Sequence, residues 1–136
     1  MKININLDDA TKALKSGYDK AEKMLKDDKE IERLLQRLEK KMKVVPMVGN
    51  HLATVPLMVS LLRSYVFGDY KDIPIGSIIA IVSALVYFVS PIDLIPDVIP
   101  GAGHIDDGLV VLACWNLVKS DADEYKEWRK KNNKEI

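Results

Sequence analysis

Residues 73–89 read IPIGSIIAIVSALVYFV. A helix over this run is apolar all round, interrupted only by Gly76, Ser77, Ser83 and the Tyr87 hydroxyl. Such a helix belongs either at the centre of a protein core or in a bilayer. Its 17 residues reach about 26 Å at about 1.5 Å each, against a hydrocarbon thickness of about 30 Å. Length alone does not choose between the two.

The next segment is as broken and charged as this run is smooth and greasy. Residues 90–107 read SPIDLIPDVIPGAGHIDD, with three prolines and four aspartates. Ser90, Pro91 and Asp93 have the order of a helix start: Ser at the cap, Pro in the first position, Asp at the third. Asp106 or Asp107 is placed to cap a following helix and to oppose its positive end. Gly101 and Gly103 supply loop geometries that side chains forbid. Asp97, between Pro96 and Val98, has no such role. Buried without a partner, its carboxylate would cost several kcal/mol. It must face water, cap a turn, pair with a cation or be protonated. The middle of the chain offers only Arg63, Lys71 and His104 as nearby bases.

The flanks are helical. Leu7, Leu14 and Ala21 recur every seven residues, with Tyr18 and Leu25 on the same stripe and Gly17 weakening the centre. Ile31, Leu34, Leu35, Leu38, Met42 and Val45 mark a second helix, with Asp27 and Glu30 as a capping pair. Pro46 and Gly49 break the pattern. A third helix is expected over 51–67, with Pro56 in its first turn or kinking it. Residues 68–74 form a loop, and a fourth helix runs to Val89. A fifth begins near Asp106, is apolar from Leu109 to Val118, then turns polar over 119–136 and frays by the end. Its apolar part is too short to span a bilayer. No stretch alternates long enough for a sheet.

At 136 residues the chain is one domain or a domain with an appendage. Formal net charge is zero. Charge is dense at both ends, where Lys and Glu alternate, and sparse and acidic between them. That layout lacks the basic face of a nucleic-acid binder, so no nucleic acid is expected. The single Cys114 cannot form an intramolecular disulfide, and in LVVLACWNLV it reads as a buried thiol. The start MKININLDD lacks the apolar core of a secretory signal.

Two function classes remain. If Asp93, Asp97, Asp106 and Asp107 converge, they make an oxygen-rich pocket for Mg, Ca or Mn, and a metal-dependent hydrolase is conceivable. The spacing matches no EF-hand or zinc motif, and no nucleophile, base and orienter stand together. Ser90 and His104 are a loose pair; His51, Tyr87, Phe88 and Trp115 read first as packing or anchoring residues. In the membrane reading, the apolar helix enters the bilayer or its interface and the broken segment turns it back. The aspartates then lie at headgroup level or under protein cover.

The motif of Ser90, Pro91, Asp93, Pro96, Asp97, Pro100, Gly103, Asp106 and Asp107 resembles the signature of the YkvA-like bacterial family of unknown function. The lead-in 73–89 fits that family's apolar helix, and the motif core covers 74–118. His104 departs from the hydrophobic residue usual before the Asp pair. The resemblance implies a small helical module, often described as a membrane protein, with no catalytic activity attached. A similar module occurs in a membrane-bound RING-type ubiquitin ligase of animals.

The expectation is an all-α protein of about five helices: an amphipathic helical arm over 1–45 that packs on, or projects from, a YkvA-like domain over 46–136 built as a compact apolar hairpin around the Pro/Gly/Asp turn. Its expected role is non-enzymatic, as a membrane-associated adaptor or envelope factor with a transmembrane helix at 73–89. The Lys-rich ends would lie on the cytoplasmic side of a bacterial membrane. The arm would meet a helical partner or a second copy. The alternative is a cytoplasmic bundle holding a divalent cation.

Overall fold

The computed structural model describes residues 2–44, 52–89 and 107–132, with side chains for 9–43, 53–89 and 110–132. The described residues are helical, with no strand among them. In chain order they form α1 (Lys2–Ser16), α2 (Tyr18–Leu25), α3 (Asp28–Val44), a 3-10 turn (Leu52–Thr54), α4 (Val55–Val66), α5 (Ile75–Val89) and α6 (Asp107–Lys131). Counting α1 and α2 as one helix broken at Gly17 returns the five expected.

Local chemistry explains most of the boundaries. At Gly17 the amide reaches back to the Leu14 carbonyl at 3.2 Å, a tightened turn that ends α1. Asp27 caps α3: its Oδ1 accepts from the amides of Lys29 at 3.1 Å and Glu30 at 3.4 Å. The other half of the expected capping box is missing, because Glu30 turns instead to Arg33, 3.2 Å away. Pro56 sits in the first turn of α4 without kinking it, where its absent amide costs nothing. Gly68 closes the helix at φ +85°, the left-handed region that favours glycine. The Pro74 carbonyl then accepts from Ser77 at 3.0 Å and starts α5.

α5 is the axis of the molecule. Ile78 and every residue from Ala80 to Phe88 are buried by the other helices, Ser83 included. α1, α2, α3, α4 and α6 all pack against it, α6 most extensively. Each large apolar side chain so buried contributes about 1.5–3 kcal/mol. Of the two places open to an all-apolar helix, the structure builds the protein core. This corrects the expected transmembrane helix: α5 has 15 residues, a length of about 22 Å. Among the described residues no helix is long and apolar enough to cross a membrane.

The two ends of α5 receive charge that its own sequence lacks. At the N-terminal end, Ser77 donates to Oδ2 of Asp121 on α6 at 2.5 Å. At the C-terminal end, Lys41 on α3 donates to the Phe88 carbonyl, and its ammonium lies 4.2 Å from the centre of the Phe88 ring. A carboxylate at the positive end and an ammonium at the negative end both favour the helix dipole. In the middle, the Ser83 hydroxyl donates to the Leu14 carbonyl of α1 at 2.6 Å.

The arm does not project. Ala10, Ala13, Leu14, Ala21, Ile31, Leu34, Leu35 and Leu38 are buried in the same core as α4, α5 and α6. The apolar stripe expected to meet a partner helix meets this chain's own helices.

The polar C-terminal half of α6 stays helical to Lys131, and the fraying expected by the end falls on residues 133–136, outside the described residues. Tyr125 is 1% exposed. Its ring lies 5.1 Å from that of Tyr70, in the loop before α5, and 5.9 Å from that of Trp128; the Tyr70 and Trp128 rings are 5.0 Å apart. This three-ring clasp holds the polar tail of α6 against the bundle.

Candidate functional site

The four aspartates were the leading sequence candidates. Asp93, Asp97 and Asp106 lie outside the described residues, as do Ser90, Pro91, Pro96, Pro100, Gly103, His104 and His51. Asp107 is the first described residue of α6, and its side chain is also outside the described ones. Among the described residues no group of three or more His, Cys, Asp or Glu could hold a metal ion. Tyr87 and Phe88 are core residues, 1% exposed each. Cys114 is buried, and burial pushes its thiol up to about 12, so it is not a nucleophile at neutral pH.

A different feature stands out in the described residues. A groove of about 520 Å³ runs between the start of α4 and the outer face of α6. Its apolar wall is Pro56, Leu57 and the half-buried Trp115. Its other wall is Lys126, Arg129 and Lys130. Among the described residues no carboxylate lines it. The first turn of α4, with Pro56 and Leu57 in the groove, carries no acidic residue. The N-terminal end of the helix dipole leaves partial positive charge there.

Arg129 is held in place by neutral oxygens. Its Nη1 donates to Ser60 Oγ and to the Tyr125 hydroxyl, the latter at 3.1 Å. The Tyr125 hydroxyl is itself fixed by Ser60 Oγ at 2.7 Å and Ser64 Oγ at 2.8 Å. The guanidinium lies 5.5 Å from the Tyr125 ring centre. Ser60 and Ser64 are one turn apart on α4, and Tyr125 and Arg129 one turn apart on α6, so two helix faces build the cluster. Nearby, burial raises the Tyr70 hydroxyl above its usual range, with Glu124, Asp72 and Asp121 adding to the effect. Among the described residues neither Lys126 nor Lys130 has a carboxylate partner.

Sequence reasoning missed this groove because it took the residues after Val118 only for the polar end of a helix. A signal was there: Trp115, Ala122, Lys126 and Arg129 follow helical spacing, which carries one face past the apolar run.

Residues 77–113 match the family described as "Protein of unknown function (DUF1232)". The chain is 39% identical over 69 residues to "Uncharacterized membrane protein YkvA" of Bacillus subtilis (strain 168). That match covers 51% of this chain and 65% of YkvA, so the chain spans just under two thirds of the relative's length. No solved structure matches. The matched segment takes in most of α5, the aspartate motif and the start of α6, and over it the chain is similar to the DUF1232 family of proteins of unknown function.

Proposed function

We propose that this protein is a non-catalytic helical module that associates with a membrane from the surface. The observation that carries the reading is the burial of α5. The one helix apolar enough to suggest a span lies inside the bundle, with both ends met by protein side chains. The likeness to YkvA, a protein named for the membrane, supports the association itself. Contact then falls to surface residues and to the aspartate segment, consistent with an adaptor or envelope-associated role. The inner surface of a bacterial cytoplasmic membrane suits the Lys-rich ends.

The test is fractionation of the untagged protein after cell lysis. A surface-bound module sediments with membranes in low salt and leaves them in alkaline carbonate. Retention until detergent is added would restore an embedded segment. Absence from the membrane fraction in low salt would end the membrane reading.

A further inference from the structure

We propose that the groove between α4 and α6 binds the phosphate-bearing headgroup of an anionic phospholipid. This deepens the surface reading and rests on it.

Three independent features of the groove converge on an anion. Lys126, Arg129 and Lys130 line one wall, and among the described residues no carboxylate faces them. The opposite side is the first turn of α4, a helix N-terminus without acidic residues. Arg129 is half-buried and has only its Nη1 engaged among the described residues, by the hydroxyls of Ser60 and Tyr125. A guanidinium shielded from water, oriented by neutral oxygens and without a carboxylate, keeps its other donors for a bidentate anion.

The apolar side narrows the class. Pro56, Leu57 and Trp115 stand beside the cations, so the occupant is polar and anionic on one side and apolar on the other. Indole at the boundary of an apolar and a charged region is the arrangement of a membrane interface. A volume of about 520 Å³ is ample for a glycerophosphate head with the first carbons of its acyl chains. The other exposed hydrophobic pair, Phe67 at 66% and Ile75 at 54%, flanks the loop between α4 and α5, at the far end of α4. Glu22, Asp28 and Glu32 line the pockets there together with Lys26 and Lys71, leaving that end without the net positive charge of the groove. That balance disfavours an anionic surface.

The test is co-sedimentation of the full chain with pure phosphatidylcholine vesicles and with mixed phosphatidylcholine–phosphatidylglycerol vesicles. Binding is expected to the mixed vesicles only. Each lost charge should lower the partition about fivefold, so Lys126→Gln with Lys130→Gln should weaken it about 25-fold. Both lysines are exposed, and the double variant should keep the wild-type melting temperature. The same charge change on α2, Lys20→Gln with Lys23→Gln, and the change Phe67→Ser with Ile75→Ser should leave binding within about twofold of wild type. Inorganic phosphate at matched ionic strength should not displace the protein. Failure to bind mixed vesicles, an equal loss in the α2 control, loss in the Phe67/Ile75 variant, or displacement by phosphate would each overturn the assignment. If it is overturned while the protein still sediments with cell membranes, only the groove fails. If the protein is absent from those membranes, the surface reading fails as well.

Discussion

At the scale of single residues, the polar atoms placed among apolar neighbours are all accounted for. Among the described residues no buried side-chain nitrogen or oxygen lacks a partner. Ser83 is the only buried polar residue among them, and it bridges α5 to α1. Cys114 is the converse case, a thiol with nothing to ionise toward. Its raised pKa of about 12 fixes the sign of a pH effect. Above about pH 9 the unfolded thiol ionises and the folded thiol does not, so the unfolded state binds fewer protons and stability falls as pH rises. Below that range the contribution is fully present. Wild type should lose about 1.4 kcal/mol per pH unit relative to Cys114→Ala between roughly pH 9.5 and 11. Tyr70, also raised by burial, acts alike in both proteins and cancels in the difference, whereas Tyr18, raised by burial and then by the Cys114 charge, is coupled to the thiol and belongs to the same effect. Parallel urea titrations of the two proteins check this; a gap that is constant with pH would show that the thiol is not desolvated.

At the scale of elements, α5 explains why an all-apolar helix can stay in a small protein. It has no charge of its own, so its dipole and its terminal groups depend on other helices. Asp121 serves one end through Ser77, and Lys41 serves the other. A comparison of lysines on one helix tests the point. Lys41→Met keeps the aliphatic stem but removes the donor at the Phe88 carbonyl, and should cost about 1–2 kcal/mol. Lys43→Met, at an exposed position of the same helix, should stay within about 0.5 kcal/mol of wild type. Equal effects in denaturant unfolding would mean that the charge at the end of α5 does not matter. This pairing also shows what a linear reading misses. Counted along the chain, the middle region is short of cations. In three dimensions α3 brings Lys41 to the last turn of α5, 47 positions away. Helical periodicity, the Asp27 cap, the place of Pro56 and the break at Gly17 were all legible, because each is set by a few neighbouring residues. The choice between core and bilayer for α5 was not, because it depends on whether five other helices cover it. What holds the polar half of α6 in place was hidden for the same reason. That half holds because Tyr70, far off in sequence, completes the clasp with Tyr125 and Trp128. The groove was missed along with it, and the aspartate motif stays where the sequence left it.

At the scale of the whole molecule, the packing bears on whether the arm is separable. Residues of α1, α2 and α3 share one core with α4, α5 and α6, and α2 and α3 both lie against α5. Removing the arm would expose a long side of the most apolar helix in the chain, which a small domain cannot offset. Arm and remainder should therefore unfold together. Both tryptophans, Trp115 and Trp128, sit on α6, while helix is distributed along the chain. Tryptophan fluorescence thus reports the C-terminal helix, and far-ultraviolet circular dichroism reports every helix. In urea the two signals should trace a single transition with one midpoint and one slope. An arm that only leans on the rest would melt first, with ellipticity falling while the fluorescence is still native. That result would make the buried face of α1–α3 available for a partner helix. Coincident curves would leave the arm's face committed to its own core, and external contacts would fall to the surface of the bundle and the aspartate turn.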